Sequence, residues 1–255
     1  MTGPHGHSLY FHGHSPIHRL APETKLVAQL SFVLIVVATP REAFWAFGLY
    51  ALIVSAVCAT AGVPAAYLLK RLVFEVPFVA FALLLPFVGG GERVDVLGMP
   101  LSIEGLWGAW NILAKATIGL MASMVVASTT TMAEFLIGFD RLHVPRAFTS
   151  IASFMVRYMD VIADETRRMR IARLSRAYDA RWLWQAKAIG QTAGALFIRS
   201  FERGERVYLA MVSRGYVGLM PDLGAERATG RTWAWALSAP LAAAVVCVLA
   251  WAVQR

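Results

Sequence analysis

The residues with the clearest chemical potential in this chain are equipped to bind rather than to react. Leu174-Ser175-Arg176-Ala177-Tyr178 is answered 38 residues later by Val212-Ser213-Arg214-Gly215-Tyr216. The run-up matches at the same offset, with Arg168 over Arg206, Ile171 over Leu209 and Ala172 over Ala210. Each copy reads as the C-terminal end of a helix that closes on serine, arginine, a small residue and tyrosine. A small residue just past the last turn suits a C-cap, where glycine enters the left-handed region more easily than alanine. An arginine there compensates the negative helix end and offers a rigid fork of donors to a carboxylate on a partner. Two such ends imply two equivalent partners. On five letters alone, a chance resemblance between two basic helix ends is the alternative.

Other reactive residue types are sparse. The N-terminal tail holds His5-Gly6-His7-Ser8 followed by His12-Gly13-His14-Ser15. Two readings stand for it: a solvated tail with incidental histidines, and capture of a divalent transition metal by His5, His7, His12 and His14 through neutral imidazoles. Asp164 and Glu165 lie on a basic helical stretch, where contacts three or four residues away with Arg157, Arg167 or Arg168 are the expected role. Gly89-Gly90-Gly91-Glu92-Arg93 lacks the Lys-Ser/Thr that a phosphate-cradling loop requires, and no His-Glu-x-x-His zinc motif occurs. No catalytic constellation is expected. Asn111 and Lys115 fall inside an apolar run, and Lys115 reads as the one clearly intramembrane ionisable group. The pair could line a surface met by another membrane subunit, and Lys115 could equally snorkel along a crevice of the bundle.

These residues need a membrane-embedded frame. The chain is 58% hydrophobic and 16% charged, against about 25% charged in soluble domains. Apolar runs lie at about 26–39, 43–63, 72–88, 106–127 and 232–253. The second, fourth and fifth reach the ~20 residues of a spanning helix. The first is short, bounded by Lys25 and Pro40, and the third contains Pro77 and Pro86. Cys58 and Cys247 sit in apolar runs with no pairing pattern. The N-terminus lacks the basic start and short apolar core of a cleaved signal peptide.

Charge sets the expected orientation. Of 24 Lys and Arg, 16 lie between Arg141 and Arg231, a span with 8 Asp and Glu. Basic segments favour the cytoplasmic side. The N-terminus, the 64–71 loop and the 128–231 region are therefore placed inside, and the 89–105 loop and the C-terminus outside. Within the basic region, apolar residues recur at helical spacing from Ile151 to Ala172 and from Ile189 to Met211. Both stretches read as long amphipathic helices whose stripes form core by packing on each other and under the bundle. Between bundle and helices, Thr129-Thr130-Thr131 caps a short helix over Met132 to Asp140, ending near Gly138, and Val144-Pro145 marks the break before the first long helix.

The sequence resembles the transmembrane T component of energy-coupling-factor transporters, of the cobalt type usually called CbiQ. The resemblance runs over about residues 16–221. It is carried by Ser15-Pro16-Ile17-His18-Arg19-Leu20 leading into Lys25-Leu26, by Thr129-Thr130 through Leu142-His143-Val144-Pro145, by Arg157-Tyr158, Asp164-Glu165 and Arg168-Met169, and by the two arginine phrases. The family's two Ala-Arg-Gly-like motifs map to Ser175-Arg176-Ala177 and Ser213-Arg214-Gly215, with serine for alanine in both and alanine for glycine in the first. The resemblance implies a non-catalytic scaffold of the cell (inner or plasma) membrane, multi-pass, that binds no cofactor itself. It implies two ATP-binding cassette ATPase subunits carrying ATP and Mg, docked at the two motifs, and a substrate-binding membrane (S) subunit, serving cobalt or nickel uptake.

The expected architecture is an all-α membrane protein with about five transmembrane helices and a cytoplasmic coupling domain of long amphipathic helices. Its parts are a His-rich tail (1–20), a transmembrane bundle (21–127), a coupling-helix region (128–231) and a C-terminal transmembrane helix (232–255). The competing class is a self-standing channel or secondary carrier, which needs converging intramembrane ionisable groups or inverted repeats. Nucleic acid is not an expected partner, because the aromatics fall on the apolar stripes rather than among the basic residues.

Overall fold

A computed structural model of the protein describes residues 13, 15–64, 67, 70–96, 99–176, 186–218 and 228–254. Among them the chain forms α1 (Pro22–Ala38), α2 (Phe44–Ala61), a 3-10 turn (Leu72–Glu75), α3 (Val76–Val88), β1 (Arg93–Val96), β2 (Met99–Ser102), α4 (Ile103–Thr129), α5 (Met132–Arg141), α6 (Arg146–Ser175), α7 (Ala186–Val212) and α8 (Gly230–Val253). The protein is all-α apart from the β1–β2 hairpin, which pairs Arg93 with Ser102 and Val96 with Met99. That hairpin sits in the 89–105 loop, whose charges alone do not announce it. Two compact units result: Leu9–Gly138 with Glu226–Arg255, and Phe139–Ala225.

In the first unit, α2, α4 and α8 are long and apolar enough to cross a membrane. α1, at 17 residues, and α3, at 13, are shorter. α1 packs on α8 and α4, and α3 lies along α4. Phe32 and Val36 of α1, Phe47, Tyr50 and Val54 of α2, Ile118 and Val125 of α4, and Ala243 and Ala250 of α8 form the shared core. Alanine on α8 lets the neighbouring helices approach closely, as small residues do between membrane helices. Gly105 does the same between α3 and α4, where an added Cβ would lie 2.7 Å from Pro86 Cα. Leu30, Leu34, Leu52, Phe78, Phe81 and Leu83 point outward, which suits helices bathed in lipid rather than water.

The third apolar run departs from a continuous span. It opens with the 3-10 turn, and Glu75 at its end is buried. The Glu75 carboxylate accepts a hydrogen bond from Thr117 Oγ1 of α4. Thr117 is 14 residues into α4, about 21 Å along its axis at ~1.5 Å per residue. α3 therefore begins opposite the middle of α4, and Glu75 is a second ionisable group at bundle depth besides Lys115. This corrects the expectation that Lys115 stood alone there.

In the second unit α6 and α7, about 45 and 40 Å long at ~1.5 Å per residue, pack on each other. Half-buried Val161 and Leu196 lie beside the Glu165–Arg199 ion pair in the space between them. Phe154, Tyr158, Met169, Val207 and Met211 are half-buried too, but much of the rest of each apolar stripe is not core. Ile151, Met155, Ile162, Ile189, Phe197, Phe201 and Tyr208 are exposed in the chain. A helix pair can cover only one side of each member, so a stripe wider than that side stays open.

Candidate functional site

The two arginine phrases end their helices alike as far as the arginine. In the second, Gly215 takes a φ of +85°. Its N–H bonds to Val212 O at 3.0 Å and the Tyr216 N–H to Met211 O at 3.0 Å. These are the paired bonds of a Schellman cap, which needs a residue in the left-handed region at that position. In the first, the Arg176 N–H turns back to Arg173 O at 3.2 Å. Ala177 lies outside the described residues, so the first cap is described through Arg176. The serines play one local role: Ser175 Oγ donates to Ala172 O at 3.0 Å and Ser213 Oγ to Ala210 O at 2.9 Å. Each tightens the last turn from the residue just before the arginine.

The surfaces of the two ends correspond as well. Arg176 and Arg214 are exposed, and neither side chain meets a partner among the described residues. Beside them, Ile171 and Leu174 on one helix are 56% and 43% exposed. Their counterparts at the 38-residue offset, Leu209 and Val212, are 64% and 45% exposed. Exposed aliphatic side chains flanking a free guanidinium make a compact plug: the apolar pair supplies buried area and the arginine supplies direction. Replacing Gly215 with valine should force a β-branched residue to φ +85° and fray the cap, costing about 1–3 kcal/mol locally. Hydrogen exchange at the amides of position 215 and Tyr216 should rise at least tenfold; unchanged protection would show that the cap tolerates it.

The acidic pair is split in role. Glu165 accepts from Arg168 at 2.9 Å within α6, as the spacing predicts, and also from Arg199 on α7, which sequence spacing does not reveal. These two guanidinium hydrogen bonds hold the Glu165 carboxyl below its usual range. A carboxyl depressed in the folded state adds stability above its unfolded value, and that stability is lost as pH falls through the folded value. The α6–α7 tie should therefore loosen only below pH 4.5, the ordinary value for this carboxyl. Spin labels on α6 and α7 should separate in acid in the wild type, while Glu165→Gln should show the loosened distance at all pH; an acid-insensitive wild type would contradict the assignment.

The bundle's polar residues mostly serve helix ends. Lys115 Nζ donates to Val37 O at 2.8 Å, and Trp251 Nε1 donates to Ala38 O at 3.2 Å. Together they satisfy the last carbonyls of α1, which have no partner within the helix. Lys115 thus lies along the bundle as a helix cap. One turn earlier, Asn111 Oδ1 is buried without a hydrogen-bond partner. At the opposite end of α1, buried Lys25 donates to Thr129 O at 2.9 Å and to His18 O at 3.2 Å. Thr129 is the last residue of α4, so Lys25 ties the start of α1 to the end of α4. Buried Glu23 accepts from the Ala228 N–H at 3.1 Å just before α8.

The short helix α5 follows at once. Thr131 Oγ1 accepts from the Glu134 N–H at 3.3 Å and Glu134 Oε2 from the Thr131 N–H at 2.8 Å, a reciprocal capping box. α5 ends at Arg141, within one residue of the expected Asp140. The missing side chain of Gly138, inside its last turn, admits α1: a Cβ there would lie 2.8 Å from Leu26 Cδ1. Of the sequence-derived site residues, Ser175, Arg176, Ser213, Arg214 and Gly215 fall at two matched helix ends and Asn111 and Lys115 in α4, while Ala177, His5, His7, His12 and His14 lie outside the described residues. Lys25, Glu23 and Glu75 carry contacts that the sequence reading did not single out; for Glu75, an acid inside an apolar run was the available signal.

An all-α protein with three helices of membrane-spanning length and composition, and two matched basic helix ends in a separate unit, is a membrane component rather than a free-standing domain. The chain belongs to the CbiQ family: the family's sequence model, described as cobalt transport protein, matches residues 13–223. It is similar to the energy-coupling factor transporter transmembrane protein EcfT of Bacillus selenitireducens, at 29% identity over 265 residues covering 96% of this chain and 94% of that one. The protein of the same name from Listeria innocua serovar 6a is 26% identical over 223 residues, 82% of this chain and 83% of its own. Cobalt transport protein CbiQ of Rhodobacter capsulatus is 28% identical over 134 residues, 51% of this chain and 54% of its own. The chain is therefore a transmembrane protein of a transporter family.

Proposed function

We propose that this chain is the coupling subunit of an ATP-driven importer of the energy-coupling-factor type. In this reading Arg176 and Arg214 each enter a groove on one ATP-binding cassette ATPase and pair with acidic side chains there. ATP and Mg belong to those ATPases. The small residues Ala177 and Gly215 permit close backbone approach, and movement of the ATPases passes through α6 and α7 to a substrate-binding membrane subunit. The observation that carries this is the matched pair of helix ends, alike in serine bond, exposed aliphatic pair and unpartnered arginine. The excess of Lys and Arg between Arg141 and Arg231 supports placing this unit in the cytoplasm, on the side where ATP is available. The exposed stripes of α6 and α7 supply surface for the second membrane subunit, and the unpartnered Asn111 Oδ1 supplies a polar contact within the bundle.

Cobalt as the substrate is supported by the family's description and by the name of the Rhodobacter capsulatus relative; nickel, a divalent ion of similar ligand preference, is the near alternative. Lys115 is engaged in capping α1, which leaves a self-standing carrier without its basic intramembrane candidate. The test is co-expression with candidate ATPases: the chain should retain them through purification, and vesicles containing the whole complex should take up cobalt only with ATP. Uptake by the chain alone would instead make it a carrier.

A further inference from the structure

The bundle contains a cleft of about 870 Å³ that the coupling role does not use. It is bounded by α1, α2, α4 and α8, and its walls are largely apolar, with Phe32, Ile53, Val57 and Trp235 among them. It lies towards the end of the bundle that holds the N-termini of α1 and α8 and the C-termini of α2 and α4. At that end it is lined by Arg19, Lys25 and Arg231, and no Asp or Glu lines it among the described residues. The three cations differ in availability. Lys25 is buried and its donors go to the His18 and Thr129 carbonyls. Arg19 and Arg231 are exposed and meet no partner among the described residues.

We infer that this cleft is a binding site for one anionic phospholipid, its phosphate held by Arg19 and Arg231 and an acyl chain lying along α8. The order of side chains down α8 matches the layers of a lipid. Arg231 stands at the first turn, exposed Trp235 four residues on, and Ala239 four beyond that, all on the cleft wall. Residues four apart share a helix face, so the wall reads charge, amphipathic ring, then small apolar surface. Tryptophan favours the headgroup boundary of a bilayer. The volume is that of a ligand pocket, within the ~300–1,000 Å³ usual for such sites. A zwitterionic lipid would satisfy the apolar wall equally but would leave two guanidinium groups facing its own ammonium, so the two arginines select for net negative charge. A neighbouring protein helix could fill the wall too, yet it would need acidic residues at this depth.

Native mass spectrometry of the full chain in micelles holding equal phosphatidylglycerol and phosphatidylcholine tests this. The chain should retain phosphatidylglycerol about tenfold over phosphatidylcholine, since each arginine near an anionic headgroup contributes severalfold in affinity. Arg19→Gln with Arg231→Gln should bring the ratio near one, and Ala56→Phe, which narrows the cleft, should lower retention of both lipids. If the double variant fails to fold, fluorescence quenching of the wild type by brominated phosphatidylglycerol should exceed that by brominated phosphatidylcholine, and the difference should vanish in Trp235→Phe. Equal retention of both lipids by the wild type, or an undiminished preference in the folded double variant, overturns the proposal. So does a Trp235→Cys chain in the assembled transporter that cross-links to the other membrane subunit and carries no lipid. None of these outcomes depends on ATPase docking.

Discussion

The double replacement Arg176→Ala with Arg214→Ala should leave a folded, membrane-inserted chain that neither retains its ATPases nor supports transport. Both side chains are exposed and unpartnered among the described residues, so their removal takes no described contact away from the chain itself; substitutions at such positions usually change stability by no more than about 0.5 kcal/mol. The loss falls on the complex. Truncating one member of a buried charged pair costs about 2–5 kcal/mol, much of it from the acid left buried and unpaired on the partner. Two such losses compound, because the proposed arrangement holds each ATPase at one helix end. Single variants should therefore weaken retention by about one and a half to three and a half orders of magnitude at the affected end, and the double variant should lose it. Arg→Lys at either site should recover only part, since an ammonium cannot reproduce the two-pronged geometry of a guanidinium. The two ends need not respond alike: Gly215 sits in a Schellman cap, whereas the first phrase has alanine at the matching position.

Lys25→Met should be the most damaging single change within the bundle. The lysine is 4% exposed and bridges the α4 terminus and the segment before α1. Methionine keeps much of the aliphatic stem but strands the Thr129 and His18 carbonyls. A buried acceptor left without a donor costs about 1–3 kcal/mol, so a total near 2–4 kcal/mol is expected. The Glu134 carboxylate, which lies close enough to act on Lys25 electrostatically, would also lose its compensating charge. Thermal unfolding in detergent, followed by circular dichroism, should show the drop, and Gly138→Val should weaken the same junction by overpacking Leu26. A Lys25→Met chain as stable as the wild type would mean that water replaces the ammonium freely.

Parts of this were open to reading from the chain alone. α2, α4 and α8 were legible because each is a long, nearly uncharged apolar run, and a continuous apolar stretch in lipid has few alternatives to a helix. The Gly215 cap was legible because a glycine at that offset has a specific backbone use. The extent of the third span was not: its proline positions and Glu75 mark irregularity, but only the contact with Thr117 shows where α3 starts. The packing use of Gly138 was not legible, since glycine serves both near helix ends and to admit close neighbours, and the second use depends on Leu26, more than a hundred residues away. The Lys25 bridge has the same long-range character. For α6 and α7, periodicity identified which face was apolar and left open what covers it; Phe197 and Phe201 show that the described residues do not.

The central claim is that the two arginine-bearing helix ends are the docking points for two ATPases. Its most direct test is site-specific cross-linking in the assembled transporter, with Ser175→Cys and Ser213→Cys, beside the intact arginines and exposed, placed singly in a chain whose Cys58 and Cys247 are replaced by serine. Each should cross-link to an ATPase subunit, and both together should capture two per chain. Cross-links from either position to the other membrane subunit, or none to an ATPase while the complex still transports, would contradict it.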